Sequence, residues 1–516
     1  MSNTKIIARN ASWYGLENLV SALVSIFTSI AIARTLGPTQ MGYMIFVTWI
    51  ASMVASLGGL GIPSTTQKYM AEFYGMGDQG TARQIYFRTL SFQLALATAV
   101  TLGLTVWVLG HAEAGYRIAS LLIVLGVLPG MVNAIPAQAN VATENLSRNL
   151  PASVISIVVF FVAILATMIF HWGVIGVGAS QLAMRLVDCG VRLIPTTTWI
   201  HGWQRAHQEP YRLKQRMFTF AWQSIISMII ALIVWDRSEF ILLKHYCSDI
   251  RQVAYYSVAF NMAERLLLTS AVFGSAISAT IFAQYGRDKS RLPTIAASTF
   301  RYLALSSFPV HFIAVSLAFP ALLLLYGQKY SGAAMVVTLA PLLCMPKAFI
   351  WPVQTLLESN ERQTYVISST ILAGVVDIGV AWMLVRRHGA VGACIGSGAA
   401  QLTAVAIMWA VAVHLYKISL PWGQIAKVGA ASAAASIVAY LVSRSLSPLL
   451  GVLLGSVASL ATLLIFLYML RVLLPEDQVR FNVVSAMLPK PLERIVTKLI
   501  SALIRAQVPD ATPSGV

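Results

Sequence analysis

The chain consists mostly of apolar runs, each about as long as a lipid bilayer is thick. A helix needs about twenty mostly apolar residues to cross the hydrocarbon core. Backbone polar groups in lipid must find partners within their own segment, so each run is expected to be an α-helix. We place fourteen spans, near 12–34, 41–62, 86–110, 117–141, 152–171, 174–199, 217–245, 253–284, 301–326, 333–357, 364–386, 390–415, 423–444 and 449–474.

The composition excludes two other classes of protein. Charged residues make up 11% of the 516 residues and hydrophobic residues 57%, whereas a soluble domain carries roughly 25% charged residues. A transmembrane β-barrel would alternate apolar and polar residues over runs of roughly ten, but runs such as Ile155–Ile169 and Leu449–Leu470 are apolar on all sides. We therefore predict an all-α integral membrane protein.

The net charge of +17 is carried mostly by short loops between the spans. Lysines and arginines are concentrated in the loops after spans two, six and eight, which marks those loops as cytoplasmic. Both termini are then expected in the cytoplasm. Arg386 and Arg387, between spans eleven and twelve, do not follow this bias. No basic helix or aromatic platform stands outside the spans, so nucleic-acid binding is not expected.

The sequence lacks the motifs of metal sites, cofactor sites and hydrolytic enzymes. The four cysteines form no CxxC pair, the histidines show no metal-ligand spacing, and no P-loop or GxSxG occurs. We expect neither a cofactor nor an enzymatic activity. The first run holds Glu17 and Asn18 and no small-residue cleavage site, so we interpret it as a retained helix rather than a signal peptide.

Short motifs recur in the two halves of the chain at a nearly constant offset. They are Gly173–Gly176 with Gly389–Gly392, Gly42-Tyr43 with Ala254-Tyr255, and Pro129 with Pro341, at offsets of 216, 212 and 212 residues. This predicts duplication of a six-span unit, and because six is even, both copies have the same orientation in the membrane. Repeats related by an axis along the membrane normal are typical of transporters, with the substrate path between the halves.

The repeat also sets the predicted domains. The N-terminal lobe covers residues 1–205 with spans one to six, and the C-terminal lobe covers 206–418 with spans seven to twelve. Spans thirteen and fourteen, within 419–475, lie outside the repeat. The tail, 476–516, mixes charged and apolar residues and is expected to contain a partly amphipathic helix on the cytoplasmic leaflet.

Motifs at several places along the chain are similar, in order and spacing, to those of one family. They are Ala33-Arg34-Thr35-Leu36-Gly37-Pro38, Asp236-Arg237, Tyr255-Tyr256-Ser257, Leu325–Tyr330 and Gly389–Ala393. In these motifs the chain resembles the polysaccharide flippases of the multidrug/oligosaccharidyl-lipid/polysaccharide (MOP) exporter superfamily, from about residue 8 to residue 415. The resemblance implies two six-helix lobes around a cavity that opens to one side at a time.

The resemblance further implies what such a protein handles. The substrate is an undecaprenyl-diphosphate-linked oligosaccharide, which crosses the bacterial inner membrane for the biosynthesis of O-antigen, capsule or exopolysaccharide. Membrane lipids surround the protein. A proton or a sodium ion is a candidate coupling ion, and a polysaccharide polymerase with its export machinery is a candidate partner.

Two arginines match positions in the related lipid II flippases. Arg34, in Ala-Arg-x-x-Gly, matches a cavity arginine at the end of the first helix, and Arg265, in Ala-Glu-Arg-Leu, matches one in the eighth. The other first-helix arginine of that family has no counterpart, because Ser25–Ile32 carries no charge, and this weakens a lipid II assignment. The alternatives are a snorkelling role at the span edge for Arg34 and, for Arg265, a neutralised pair with Glu264 or with an acid on another helix.

Ionisable residues within spans are costly in lipid and usually face a cavity. Guanidinium groups bind phosphate oxygens in bidentate fashion, which suits a diphosphate. The candidate substrate-binding residues are Arg265, Arg34, Arg237, Lys347 and Arg185. The candidate ion-coupling residues are Asp377, Asp236 and Glu264.

The arginines of spans six and seven have structural alternatives. Arg237 adjoins Asp236, which favours a structural pair. Arg185, Asp188 and Arg192 share one helical face. They form either a ladder to neighbouring helices, with Asp188 pairing with both arginines, or a cationic wall of the cavity.

The candidates in spans ten and eleven also have two interpretations each. Pro341, Pro346 and Pro352 are expected to kink span ten, and Lys347 among them either binds a freed carbonyl or faces the cavity. Asp377 is either a buried protonated acid or the site of a coupling proton or cation.

Other functions stay open at this point. A cation-coupled drug antiporter of the same superfamily has the same shape, with fewer arginines and more acids and aromatics in its cavity. A lipid II flippase is a second alternative. A membrane-embedded glycosyltransferase or polymerase would need catalytic groups on large extramembrane loops, and the loops here are short.

Overall fold

A computed structural model describes residues 3–204, 212–235, 238–268, 291–360 and 362–473, together with residues 270, 477, 497 and 504. Within these ranges the regular secondary structure is entirely helical. Eleven segments of this part of the chain are long and apolar enough to cross a membrane. The protein is therefore an all-α, multi-pass membrane protein, as the sequence predicted.

The structure divides into two compact units, Met1–Ala254 and Tyr255–Val516, which are described separately. The helices of the first unit are α1 (Asn3–Gly58), α2 (Ile62–Gly75), α3 (Gln79–His111), α4 (Arg117–Leu125), α5 (Val127–Ala142), α6 (Asn149–Ile169), α7 (Gly173–His201), α8 (Leu213–Trp235) and α9 (Glu239–Tyr246). Helix α10 (Arg251–Leu266) contains the boundary between the units. The lobe boundary expected at residues 205 and 206 stays a prediction.

The second unit contains predicted spans nine to twelve as well as the last two predicted spans. Its helices are α11 (Leu292–Tyr326), α12 (Ala334–Cys344), α13 (Ile350–Ser359), α14 (Gln363–His388), α15 (Ala390–Tyr416), α16 (Trp422–Ser443) and α17 (Pro448–Met469). Apolar residues of α16 and α17, among them Val428 and Leu463, form a core cluster with Phe308 of α11. Spans thirteen and fourteen therefore pack on the second unit.

Helix α1 contains predicted spans one and two, with a break between them. At Gly37 the backbone has φ 72° and ψ 175°, a conformation that glycine adopts without steric cost. Pro38 follows, and proline has no N–H for a helical hydrogen bond. The break therefore falls in the gap that the apolar runs predicted, and the exposed Arg34 lies one turn before it.

Spans seven and eight are described in part. Predicted span seven is α8 up to Trp235, followed by α9 from Glu239. Asp236 and Arg237, between these helices, lie outside the described residues, so their interpretation as a pair stays a prediction. Predicted span eight begins as α10, and its end also lies outside the described part of the chain.

The glycine motifs of the repeat produce the same close packing in both units. A Cβ added to Gly176 on α7 would lie 2.5 Å from Cγ2 of Thr167 on α6. One added to Gly392 on α15 would lie 2.5 Å from the backbone carbonyl carbon of Leu384 on α14. Each glycine thus allows two consecutive helices to approach closely, and this similarity supports the predicted duplication.

Asp477, just past the start of the predicted tail, is buried against α11. Arg301 donates to its two carboxylate oxygens from Nη1 at 2.8 Å and Nη2 at 2.5 Å, and from Nη2 to the Val472 carbonyl at 3.0 Å. The Tyr302 hydroxyl donates to the same carboxylate. Bidentate pairs of this kind combine charge with defined geometry, so Asp477 anchors the chain beyond α17 to α11.

Candidate functional site

A cavity of about 320 Å³ in the second unit brings three of the candidate residues together. Glu264 and Arg265 come from the end of α10, and Lys347 comes from the segment between α12 and α13. We call it the C-terminal cavity. Its lining residues are Glu264, Arg265, Leu267, Leu268, Ser270, Lys347, Ala348 and Trp351.

Lys347 reaches this cavity because the prolines interrupt span ten, as predicted. The segment Met345–Phe349 is a 3-10 helix between the two α-helices. The Phe349 carbonyl accepts a hydrogen bond from the Trp409 indole at 3.0 Å. The Lys347 ammonium lies 3.4 Å from Oε1 of Glu264. Of the two interpretations of Lys347, its position in the cavity lining agrees with the second.

The pair of Lys347 and Glu264 is partly exposed, with 25% and 37% of the two side chains accessible. Ion pairs that solvent reaches contribute little to stability, because water screens the charges. The distance of 3.4 Å is also long for a charged hydrogen bond. An anionic ligand can therefore displace the carboxylate from the ammonium at low cost.

A larger cavity, of about 550 Å³, lies in the first unit among helices α1–α8. We call it the N-terminal cavity. The polar side chains in its lining are Thr48, Ser52, Ser56, Ser64, Gln93, Gln181 and Arg185. Among the described lining residues Arg185 is the one charged side chain, and none is acidic.

The three charged residues of α7 separate into two roles. Arg192 pairs with Asp188 at 2.9 Å and also donates to Ser153 of α6 at 2.9 Å. Asn133 of α5 donates to the same aspartate at 2.5 Å. These contacts form the ladder between helices. Arg185 stays outside it: within the described residues, no carboxylate lies at ion-pair distance from its guanidinium.

The backbone of the neighbouring helices makes room for the Arg185 side chain. A Cβ at Gly126 would lie 3.5 Å from Cγ of Arg185, and one at Gly130 would lie 3.7 Å from its Cδ. The arginine stem therefore runs along these glycines, from the end of α4 into α5. Arg185 is an exposed residue, and these contacts are of ordinary van der Waals length.

Gln93 of α3 is a site residue that the sequence analysis missed. Its side chain is 1% exposed, and Oε1 has no hydrogen-bond partner among the described residues. On the opposite side, Thr48 donates to Gln181 at a long distance of 3.5 Å. A glutamine within the apolar run of span three was the signal that could have identified Gln93.

The two cavities occupy corresponding positions in the repeat. At the offset of 212 residues, Glu264, Leu267 and Leu268 of the C-terminal cavity correspond to Ser52, Ala55 and Ser56. The latter three line the N-terminal cavity. The charges in the two linings differ.

Of the other candidates, Asp236 and Arg237 lie outside the described residues, and Arg34 and Asp377 are not among the residues of the two linings. Asp377 is buried in α14, with 2% of its surface exposed. Arg386 and Arg387 lie in the last turn of α14, where cations interact favourably with the helix dipole, and the Arg386 guanidinium lies 5.1 Å from the centre of the Trp382 ring. Across the described residues, no group of three potential metal ligands occurs.

The family described as polysaccharide biosynthesis protein matches residues 7–285. The chain belongs to this family. No curated protein sequence matches the chain, so the remaining comparisons are with solved structures.

Three solved structures illustrate the fold of the protein. The lipid II flippase MurJ, in an inward closed conformation, matches with a TM-score of 0.67 and 12% identity, over 89% of this chain and 99% of that one. An inward-facing multidrug resistance MATE family transporter of the MOP superfamily matches with 0.62 and 14%, over 77% and 94%. A MOP superfamily transporter from Pyrococcus furiosus, whose binding pocket has reverse polarity, matches with 0.56 and 14%, over 80% and 96%.

At these identities the structural matches define the fold, which is that of the MOP superfamily. The resemblance found in the sequence is thereby confirmed. The matched structures are those of a flippase and of transporters, and this chain has their fold.

Proposed function

We propose that the protein is a flippase that moves an undecaprenyl-diphosphate-linked oligosaccharide across the bacterial inner membrane by alternating access. Its product would serve the biosynthesis of O-antigen, capsule or exopolysaccharide. The family match supports a place in polysaccharide biosynthesis. The observation that carries the choice of substrate is the C-terminal cavity, in which Arg265 and Lys347 line the same space.

The charge of the diphosphate makes cationic residues necessary. Burying an anion in a low-dielectric cavity is prohibitive unless fixed positive charges accompany it. Arg265 offers a planar fork that holds two phosphate oxygens, and Lys347 adds a compact charge that follows the ligand. Together they match a head group with more than one negative charge.

Glu264 makes this binding reversible. Its Oε1 lies 3.4 Å from the Lys347 ammonium, so the carboxylate partly compensates the lysine charge. The diphosphate replaces the carboxylate on entry, and the carboxylate replaces the diphosphate on release. A transporter needs such a competitor, since a site that binds too tightly does not release its ligand on the other side.

Coupling to an ion gradient is assigned to Asp377. A buried carboxylate in a membrane helix takes up a proton or a sodium ion when the conformation changes its surroundings. In this proposal both termini lie in the cytoplasm, the lobes cover 1–205 and 206–418, and the tail follows residue 475. A polymerase and the export machinery then receive the flipped substrate.

The decisive experiment combines genetics with reconstitution. Deletion of the gene should cause the lipid-linked oligosaccharide to accumulate on the cytoplasmic side, and the purified protein in proteoliposomes should flip that lipid. Arg265→Ala should abolish flipping, and Arg265→Lys should restore it in part because it keeps the charge but not the fork. Arg387→Ala, an exposed arginine of the same unit, is the charge-matched control.

The same assays separate the alternatives. A purified protein that flips lipid II, or exports cationic drugs, but leaves the lipid-linked oligosaccharide in place would refute the proposal. So would an Arg265→Ala variant that is present at normal levels in the membrane and supports full polysaccharide export.

A further inference from the structure

The N-terminal cavity differs from a diphosphate site in the amount of positive charge it offers. Its described lining supplies one guanidinium, that of Arg185, and no acid. A cation held in a membrane protein without a counter-ion is unfavourable, so the cavity favours a ligand that supplies one negative charge. The C-terminal cavity instead combines two cations with one acid.

The remainder of the lining has the chemistry of a carbohydrate site. Hydroxyl groups come from Thr48, Ser52, Ser56 and Ser64, and amide groups come from Gln93 and Gln181. Such groups both donate and accept hydrogen bonds, as sugar hydroxyls do. The volume of about 550 Å³ is within the usual range of roughly 300–1,000 Å³ for ligand pockets.

Gln93 provides an independent indication of a ligand. Gln93 is one of the lining residues, and its Oε1 is buried and has no hydrogen-bond partner in the described part of the chain. A buried acceptor without a donor is destabilising. A hydroxyl group of a bound sugar would supply the missing donor, and an apolar ligand would not.

From these observations we propose that the N-terminal cavity binds a sugar residue bearing a single carboxylate, with Arg185 on the carboxylate and Gln93 on a hydroxyl. The inference rests on the proposed function and deepens it: the glycan of the substrate is acidic, and the two cavities read different parts of the lipid-linked molecule. Arg185 then determines specificity for the glycan, and the residues of the C-terminal cavity bind the diphosphate.

Binding is tested on the full-length protein in nanodiscs of neutral lipid, with transport playing no part. The probe is the methyl glycoside of a glucuronic-acid disaccharide, and its methyl ester is the uncharged control. We expect the acid to bind about 10- to 100-fold more tightly than the ester, the usual range for a hydrogen bond to a charged group. Calorimetry or quenching of tryptophan fluorescence measures both affinities.

Three variants and one control variant assign the effect to residues. Arg185→Gln should remove the preference for the acid, and Arg185→Lys should retain part of it. Gln93→Met should weaken the acid and the ester to the same extent. Arg117→Gln removes the same charge from an exposed position on α4, outside the lining, and should change neither affinity.

Several results would overturn the inference. Equal binding of acid and ester would mean that the cavity reads neutral sugars. Stronger binding of inorganic pyrophosphate, lost in Arg185→Gln, would make it a second diphosphate site. Competition by phosphatidylglycerol added to the nanodiscs would identify a lipid head group as the ligand. In none of these cases would the flipping assay with Arg265→Ala be affected, so each proposal can fail alone.

Discussion

The two cavities share corresponding residues at the offset of the predicted repeat, yet their linings carry different charges. Ser52 and Glu264 correspond at the offset of 212 residues, and each lines the cavity of its own unit. The N-terminal cavity is larger and has one cation without an acid. The C-terminal cavity is smaller and has two cations, Arg265 and Lys347, and one acid, Glu264.

The two units differ in the residues that line their cavities and not in their close helix packing. Close helix packing at Gly176 and Gly392 occurs in both units, because a side chain at either glycine would collide with the preceding helix. Lining residues face open space, so a charge can be gained or lost there without a change in packing. The shape of the fold is therefore shared, while the ligand chemistry of each unit is its own.

The strongest test of the comparison uses two substrates that differ only in the glycan. With a neutral glycan, Arg265→Ala should lower the flipping rate by about 100-fold or more, the usual cost of removing one partner of a buried charge pair. Arg185→Ala should leave that rate unchanged. With an acidic glycan both variants should be impaired. Equal losses with the neutral glycan would show that the cavities are not specialised.

The close helix contacts at Gly176 and Gly392 also differ between the two units. A Cβ at Gly392 meets the backbone of Leu384, with distances of 2.5 and 2.6 Å to its carbonyl carbon and oxygen. The nearest atoms at Gly176 belong to the side chain of Thr167, which rotates more easily than backbone moves. Gly392→Ala should cost about 3 kcal/mol of unfolding free energy and Gly176→Ala about 1 kcal/mol.

Thermal unfolding in detergent measures these losses. The reverse order of the two melting temperatures would contradict the explanation. Gly379→Ala, at a position with no atom within 4 Å of the added Cβ, is the control and should leave the melting temperature unchanged or raise it slightly.

A third prediction concerns the acid of the C-terminal cavity. Glu264→Gln removes the competitor for Lys347, so substrate binding should become about 10-fold tighter, the size of one charged hydrogen bond. Turnover should fall because release is slower. The flipping assay should therefore show KM and the maximal rate decreasing together. A higher KM would mean that Glu264 contributes to binding rather than to release.

The smallest effect is expected from the reverse exchange, Ser52→Glu. It places a carboxylate in the N-terminal cavity, at the position that corresponds to Glu264. The new acid should compete for Arg185 and weaken binding of the acidic glycoside by about 5-fold, as a partly exposed pair would. Ser52→Gln, of the same size and without charge, is the control, and equal losses in both would indicate a steric effect.

Hydropathy predicted most of the fold, because each span is decided by a local run of residues. The break at Gly37, the interruption of span ten and the packing at the glycine motifs all follow from neighbouring positions. The sequence also identified Arg265, Lys347 and Glu264 as candidates, but it did not predict that they line the same cavity. Lys347 and Glu264 are 83 residues apart, and their meeting depends on how whole helices pack.

Other features were beyond the reach of local patterns. Arg185 and Arg192 lie on the same face of α7, three residues before and four residues after Asp188. Which of them belongs to the ladder depends on the positions of Asn133 on α5 and Ser153 on α6. Gln93 carries no charge and was not considered. Arg301 is 176 residues from Asp477, and no local sequence pattern near either residue predicts that they pair.

The pair of Arg301 and Asp477 determines where the polypeptide can be shortened. The predicted tail begins at residue 476, and removing it would take Asp477 with it. Arg301 would then be left buried without its carboxylate, which is strongly destabilising in proteins. Shortened or tagged versions of the protein should therefore retain residues up to and including Asp477, since a chain that ends at residue 476 would leave Arg301 of α11 without its partner.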